Sequence, residues 1–321
     1  MQLLIGIDIG GTNIKLALVD KKARLKAKRV FSTASFKGKD ALINELVNEI
    51  GLLLSEYSIT KKDLIGIGIG APGIVDIRTG TIHCLTNIPN WREVALGDIL
   101  KKRLGLPVFV DNDVNVMALG ELRFGAGRNT RNMLCITLGT GVGGGLILEG
   151  SLYRGSSYAA GEFGHVPINI DGPKCNCGGW ACVEAYVGNH YIIRDVVARI
   201  KKGEKTLIKK LVDGELSKIT PETIDEAARK GDRFAKQVWV DIGNKVGIGL
   251  AGVVNLLNIE KIVIGGGVSE AGKVLFDSIR KTIQVRAMKL PAKTVKVVRA
   301  KLGYDAGVIG AATLVLYELN R

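Results

Sequence analysis

Two stretches of this chain pair apolar strands across glycine turns, and they restrict its fold more than any other feature. In the first, Leu3 to Asp8 leads through Gly10-Gly11-Thr12-Asn13 into a second apolar run, Ile14 to Val19. In the second, Met133 to Leu138 leads through Gly139-Thr140-Gly141-Val142-Gly143-Gly144-Gly145 into Leu146 to Leu148. Glycine loses more conformational entropy on folding than any other residue, so five glycines in seven positions need a reason beyond a plain hairpin. Successive exposed N–H groups in such a turn form a concavity that suits phosphate oxygens. An ordinary hairpin is the competing reading for the first turn taken alone; two such turns point to two walls of one phosphate site. Asp8, at a strand end, can hold Mg²⁺ through water, and Thr12 adds a hydroxyl donor. Neither turn runs strand-to-helix with dinucleotide-binding spacing, and no Gly-Lys-Ser/Thr occurs.

The rest of the pattern is α/β. Residues 25–34 suit a third strand, and Leu42, Leu46, Ile50 and Leu53 recur at helical spacing. Leu64 to Ile69 alternates apolar residues with glycine before Ala71-Pro72-Gly73 breaks the run. A strand over Val108 to Val110 runs into Asp111-Asn112-Asp113, and Val114 to Phe124 reads as a helix capped in that triplet. Residues 150–183 are irregular and glycine-rich. A long helix follows over about 231–257, then a short strand Ile262 to Ile264 ending in Gly265-Gly266-Gly267. A helix near 271–285, a strand near 294–299 and a last helix over about 305–320 close the chain. The two halves repeat weakly at the level of strand, glycine turn and strand. The third glycine cluster offers backbone that can lie against a nucleotide base or ribose.

His165, Cys175, Cys177 and Cys182 form His-x9-Cys-x-Cys-x4-Cys, a closed tetrahedral donor set for structural Zn²⁺. Three neighbouring buried thiols are the alternative. The other ring nitrogen of a ligating His165 is free to couple the loop to a substrate. His83, His190, Cys84 and Cys135 have no supporting pattern. Asp113 opens a helix after a buried strand, where α/β folds present catalytic side chains, and an aspartate can take the proton from an attacking sugar hydroxyl. Asp111 or Asp113 can equally be the helix cap. Glu162 and Glu184 flank the zinc set and suit adjacent sugar hydroxyls, with exposed loop residues as the bland reading.

Composition narrows the class. With 321 residues, 46% of them hydrophobic, the chain can bury two domain cores. No uninterrupted apolar run of about 18 residues appears, so no spanning helix is expected, and the N-terminus lacks a secretory pattern, so cytoplasm is the default. Five cysteines argue against a disulfide framework. A formal charge of +14 is spread over scattered lysine pairs without interleaved aromatics, which reads as a solvated surface and not a nucleic-acid face.

Together these residues resemble the ROK family of sugar kinases and sugar-responsive repressors. The resemblance rests on Asp8 to Thr12, Ala71-Pro72-Gly73, Asn87 to Trp91, Asn112-Asp113, Leu138 to Gly145, Gly161 to His165, and the Cys-x-Cys-Gly…Cys-x-Glu segment ending at Glu184. It implies an actin-like ATPase (ribonuclease H-like) fold of two domains with an active-site cleft between them. The expected domains are 1–113, joined by the final helix at about 305–321, and 114–304, which carries the zinc loop. It implies Asp113 as base and Gly73, Asn87, Asn112, Glu162, His165 and Glu184 at the sugar. The nucleotide would meet Asp8, Gly10, Gly11, Thr12, Asn13, Lys15, Gly139, Thr140, Gly141, Gly265, Gly266 and Gly267. ATP, Mg²⁺ and structural Zn²⁺ are the implied cofactors, and a homodimer or homotetramer the implied assembly, with neither nucleic acid nor membrane as partner.

Repressors of the family carry an N-terminal helix-turn-helix domain, for which a phosphate-binding strand starting at Leu3 leaves no room. Asn87 to Trp91 and Gly161-Glu162 look most like glucokinases, so glucose is the expected hexose. N-acetylmannosamine, N-acetylglucosamine, allose and fructose kinases are the alternatives, and a non-catalytic sugar-responsive regulator is the alternative of another class. One departure is Gly178-Gly179-Trp180-Ala181, which puts Trp and Ala where basic or small residues are expected.

Overall fold

β1 (Leu3–Ile9) is apolar at every position but Gly6 and Asp8, as a strand covered on both faces requires. The computed structural model, which describes residues 2–85 and 87–321, covers it in this way. β2 (Asn13–Asp20) and β3 (Leu25–Ser32) continue from β1 as antiparallel neighbours. α1 (Lys39–Glu56) crosses to β4 (Leu64–Ala71), which lies parallel to β1. Three short strands, β5 (Val75–Asp76), β6 (Thr81–Cys84) and β7 (Arg92–Ala95), form a separate antiparallel sheet. No periodicity in the sequence announces it, because each strand is too short for two full alternations. α2 (Leu96–Leu104) then leads to β8 (Val108–Asn112), parallel to β4, and α3 (Asp113–Phe124) follows without a loop.

β9 (Met133–Leu138), β10 (Val142–Leu148) and β11 (Ser151–Tyr153) repeat the opening meander. α4 (Glu184–Val187), α5 (Asn189–Lys201), α6 (Ile208–Leu211), α7 (Pro221–Arg229) and α8 (Arg233–Leu257) precede β12 (Lys261–Gly265). α9 (Lys273–Arg286), α10 (Lys289–Thr294), β13 (Lys296–Arg299) and α11 (Ala306–Leu319) complete the chain. The sheets run β3-β2-β1-β4-β8 and β11-β10-β9-β12-β13. These are the same order twice, a meander followed by two parallel strands, so the weak repeat in the sequence is a full repeat of topology.

Two compact units result. The first comprises Met1–Arg131, Gly145–Gly161 and Ala300–Arg321; the second comprises Asn132–Gly144 and Glu162–Arg299. The boundary thus differs from one drawn after Asp113. α3 belongs to the first unit because its apolar face packs on α11, where a Cβ on Gly310 would lie 2.2 Å from the Val116 carbonyl oxygen.

Alternation explains the layers of the first unit. Leu3, Ile5, Ile7 and Ile9 join Leu42, Leu46 and Ile50 of α1 in one core, each buried side chain worth about 2 kcal/mol. Leu4 joins Val308, Ala312 and Val315 of α11 on the opposite face. The Gly66, Gly68 and Gly70 alternation of β4 points to that helix-covered face, where a Cβ on Gly68 would sit 1.8 Å from the Ala311 carbonyl oxygen. In the second unit, α8 is long and apolar enough by length and composition to cross a membrane. Its buried residues Val238, Trp239, Ile242, Val246 and Leu250 form a stripe, and the helix packs within the unit on α9, α7 and α4.

Candidate active site

In the first unit, the candidate residues gather at the carboxyl ends of three adjacent strands. Asp8 pairs in register with Gly70, Gly70 with Asp111, and Ala71 with Asn112. At about 4.8 Å per strand, Asp8 and Asn112 stand about 10 Å apart along one sheet edge. The turn after β1 is closed by Gly10 N–H donating to the Asn13 carbonyl at 2.9 Å. Thr33 clamps it twice, through its N–H to the Thr12 carbonyl at 2.9 Å and its hydroxyl to the Gly10 carbonyl at 2.8 Å. Asn87 Nδ2 donates to the Gly11 carbonyl at 3.0 Å, which brings the predicted sugar residue Asn87 to the first glycine turn.

Burial pushes the Asp8 carboxyl above the usual carboxylate range, and Lys15, whose Nζ lies 3.4 Å away, pulls against it. Lys15 Nζ also donates to the Tyr304 carbonyl at 3.0 Å and stands 3.8 Å from the centre of that ring. Lys15 is therefore held on three sides. Gly307 is the neighbour the sequence did not single out here: a Cβ there would fall 2.4 Å from Asp8 Oδ2. The available signal was a glycine at the start of a largely apolar final helix.

At the second junction the cap is Asn112, not Asp111 or Asp113. Asn112 Oδ1 accepts from Val114 N at 2.8 Å and Asn115 N at 3.2 Å, while its Nδ2 donates to the Gly73 carbonyl at 3.1 Å. Asp113 takes the first helical position, with Oδ1 accepting from Val114 N at 2.9 Å. Asp111 is buried beneath it, its carboxyl pushed up by burial against the pull of Arg154.

In the second unit, the two glycine clusters meet. A Cβ on Gly266, whose φ is +84°, would lie 2.3 Å from the Leu138 carbonyl oxygen, so only glycine fits where β12 ends beside the turn of residues 139–141. Gly265 pairs with Thr137 in β9, and Gly267 has open space around it. Gly139 N–H closes the turn onto the Gly141 carbonyl at 3.0 Å, and Asn189 N–H ties the Gly139 carbonyl at 2.9 Å to the start of α5. Thr140 sits between them, its carbonyl facing Gly188. Glu184 Oε2 accepts from Val142 N at 2.8 Å, so this predicted sugar residue also braces the glycine turn.

The metal-type donors converge in the same unit. His165, Cys175, Cys177 and Cys182 place one donor atom each within 4.8 Å of all the others. Cys177 and Cys182 sulfurs are 3.8 Å apart, and His165 Nδ1 lies 3.8 Å from Cys175 Sγ. Metal–sulfur bonds of about 2.3 Å in a tetrahedron place sulfurs about 3.8 Å apart, so the set fits zinc. Burial and the neighbouring thiols push Cys182 up to about 12, and burial lifts Cys175 too, whereas the Gly179 N–H lowers Cys177. Such a cluster resists becoming three thiolates without a cation among them. His165 turns Nε2 toward Glu162 Oε2, 3.8 Å away, so its ring links the thiol cluster to the remaining predicted sugar residue. Trp180 of the Gly178-Gly179-Trp180-Ala181 departure is 61% exposed on the loop surface.

Comparison with known proteins identifies the family. The ROK family pattern matches residues 4–318. A glucokinase of Halalkalibacterium halodurans is 38% identical over 98% of this chain and 96% of its own. A xylose repressor of Caldicellulosiruptor bescii is 30% identical over 98% of this chain and 78% of its own length. Among solved structures, a ROK family glucokinase from Streptomyces griseus in complex with glucose and AMPPNP superposes with a TM-score of 0.82 at 35% identity, covering 97% of this chain and 98% of that one. With the repeated sheet order and a match over nearly its whole length, this chain belongs to the ROK family and has that family's actin-like ATPase fold.

Proposed function

We propose that this chain is an ATP-dependent sugar kinase that phosphorylates a hexopyranose, glucose above all, on its primary O6 hydroxyl. The observation that carries the reading is the β8–α3 junction. Asn112 does the capping there, which leaves Asp113 at the head of the helix in the position of a base. Asp113 takes the O6 proton as the oxygen attacks the γ-phosphorus; the new O–P bond forms, the bond to the β-phosphate oxygen breaks, and ADP leaves. The turns at Gly10 to Asn13 and Gly139 to Gly141 bind phosphate oxygens through backbone N–H groups. Asp8 would hold Mg²⁺, which would supply charge neutralisation for those phosphates. Asn112, Glu162, His165 and Glu184 orient the sugar hydroxyls. Zinc on His165, Cys175, Cys177 and Cys182 supplies stability to the loop that carries them and takes no part in the chemistry. The 38% identity to a glucokinase supports glucose as the acceptor. The same reading puts the protein in the cytoplasm as a homodimer or homotetramer.

The test is a panel with ATP as donor and glucose, mannose, fructose, allose and the N-acetylhexosamines as acceptors, read as ADP release. Glucose is expected to give the highest kcat/KM. An N-acetylhexosamine in first place would move the assignment to another sugar kinase. Glucose binding without ADP release from any sugar would make the chain a sugar-responsive regulator, the function named for the repressor relative.

A further inference from the structure

Arg154 lies just beyond β11, 43 residues from Asp111 at the junction that carries Asp113, yet it is almost fully buried inside the first unit. Its Nε donates to Asp111 Oδ2 at 2.7 Å, and an Nη donates to Glu318 of α11. The other Asp111 oxygen accepts from the Asn112 backbone N–H at 2.7 Å and from Asn115 Nδ2 at 2.8 Å. The carboxylate clamped by Arg154 therefore holds both the residue before Asp113 and the first turn of the helix that Asp113 opens.

We infer that Arg154, acting through Asp111, is the positioning residue that fixes Asp113 for proton transfer; this rests on the kinase reading above. Burying three charged side chains is costly, and a well-packed apolar cluster is often as stable, so stability alone does not explain the arrangement. What the guanidinium adds is direction. Its planar fork holds Asp111 on one side and Glu318 on the other, which aligns the carboxylate toward the junction. The backbone N–H of Asn112, its Oδ1 and its Nδ2 are then all bonded, leaving the Asp113 backbone little freedom to rotate. A base displaced by about 1 Å can cost about 100-fold in rate, so a remote arginine can govern turnover without touching substrate.

The test is a double-mutant cycle on kcat. Arg154→Lys keeps the charge and loses the fork. It is expected to lower kcat about tenfold or more, with KM for ATP unchanged and the folded fraction by circular dichroism intact. Arg154→Met goes further where it folds. In the Asp113→Asn background, which has no base left to position, Arg154→Lys is expected to change the residual kcat less than about twofold. Glu318→Gln, which loosens only the outer end of the fork, should fall between wild type and Arg154→Lys. Equal losses in both backgrounds would make Arg154 a general structural residue, and an unchanged kcat in Arg154→Lys would remove any role; either overturns the inference while the kinase reading stands. A wild-type chain that releases no ADP with any sugar overturns the kinase reading and this inference together.

Discussion

The two five-stranded sheets share one strand order, and the two units are held together by different means. In the first, the glycine-rich face of β4 lets α11 lie directly on the sheet, where a methyl on Gly68 would fall 1.8 Å from the Ala311 carbonyl oxygen. In the second, the stretch after β11 makes no sheet. Instead it is gathered by four metal-type donors and tied back to the glycine turn through Glu184. The contrast teaches that one topology can be supported by close packing of backbone or by a loop that gathers four metal-type donors.

Removing the metal should break the second unit and spare the first. Dialysis against a chelator is expected to release about one zinc per chain and lower Tm by about 10 °C, the scale of a lost structural site. Hydrogen exchange should then quicken over residues 162–191 and stay slow in β1 and β4. Uniform acceleration would mean that the units do not differ as described. Gly68→Ala should do the reverse. A methyl 1.8 Å from the Ala311 carbonyl must displace α11, at a cost of about 3 kcal/mol, read as early exchange of α11 with zinc content unchanged.

A smaller effect of opposite sign is expected at Asp8. Its carboxyl holds a proton to higher pH in the folded chain than in the unfolded one, because of burial first and despite Lys15. The folded state thus binds more protons, and stability falls as pH rises above the ordinary value of 3.8 through the folded one. Asp8→Asn should accordingly raise Tm at pH 7 by about 1–3 °C, with less gain near pH 4, while turnover drops. A lower Tm at pH 7 would show that the Asp8–Lys15 pair is worth more than its desolvation.

Much of this was legible because it is local. The apolar runs of β1 and β2, the glycine turns and the Cys-x-Cys-x4-Cys spacing each lie within a few residues, and most strand and helix limits move by one or two positions between pattern and structure; the exception is β10, which starts at Val142 and not at Leu146, so Gly143, Gly144 and Gly145 are strand and the turn is confined to residues 139–141. The β5–β7 sheet was not legible, since strands of two to four residues carry too little alternation. The cap at β8–α3 was ambiguous for a chemical reason: Asp and Asn both cap well, and three stand in a row. Tertiary burial decided it by pairing Asp111 with Arg154 and leaving Asn112 to accept from the helix. Arg154 has no local signal and Gly307 only that of a glycine opening a helix, because their partners are 43 and 299 residues away.

The most direct measurement compares wild type and Asp113→Asn in parallel for glucose binding by calorimetry and for glucose-dependent ADP release. The account predicts that both bind glucose and remain folded, and that the variant loses about 100-fold or more in kcat, the scale of a missing general base. A variant that turns over at the wild-type rate would contradict it.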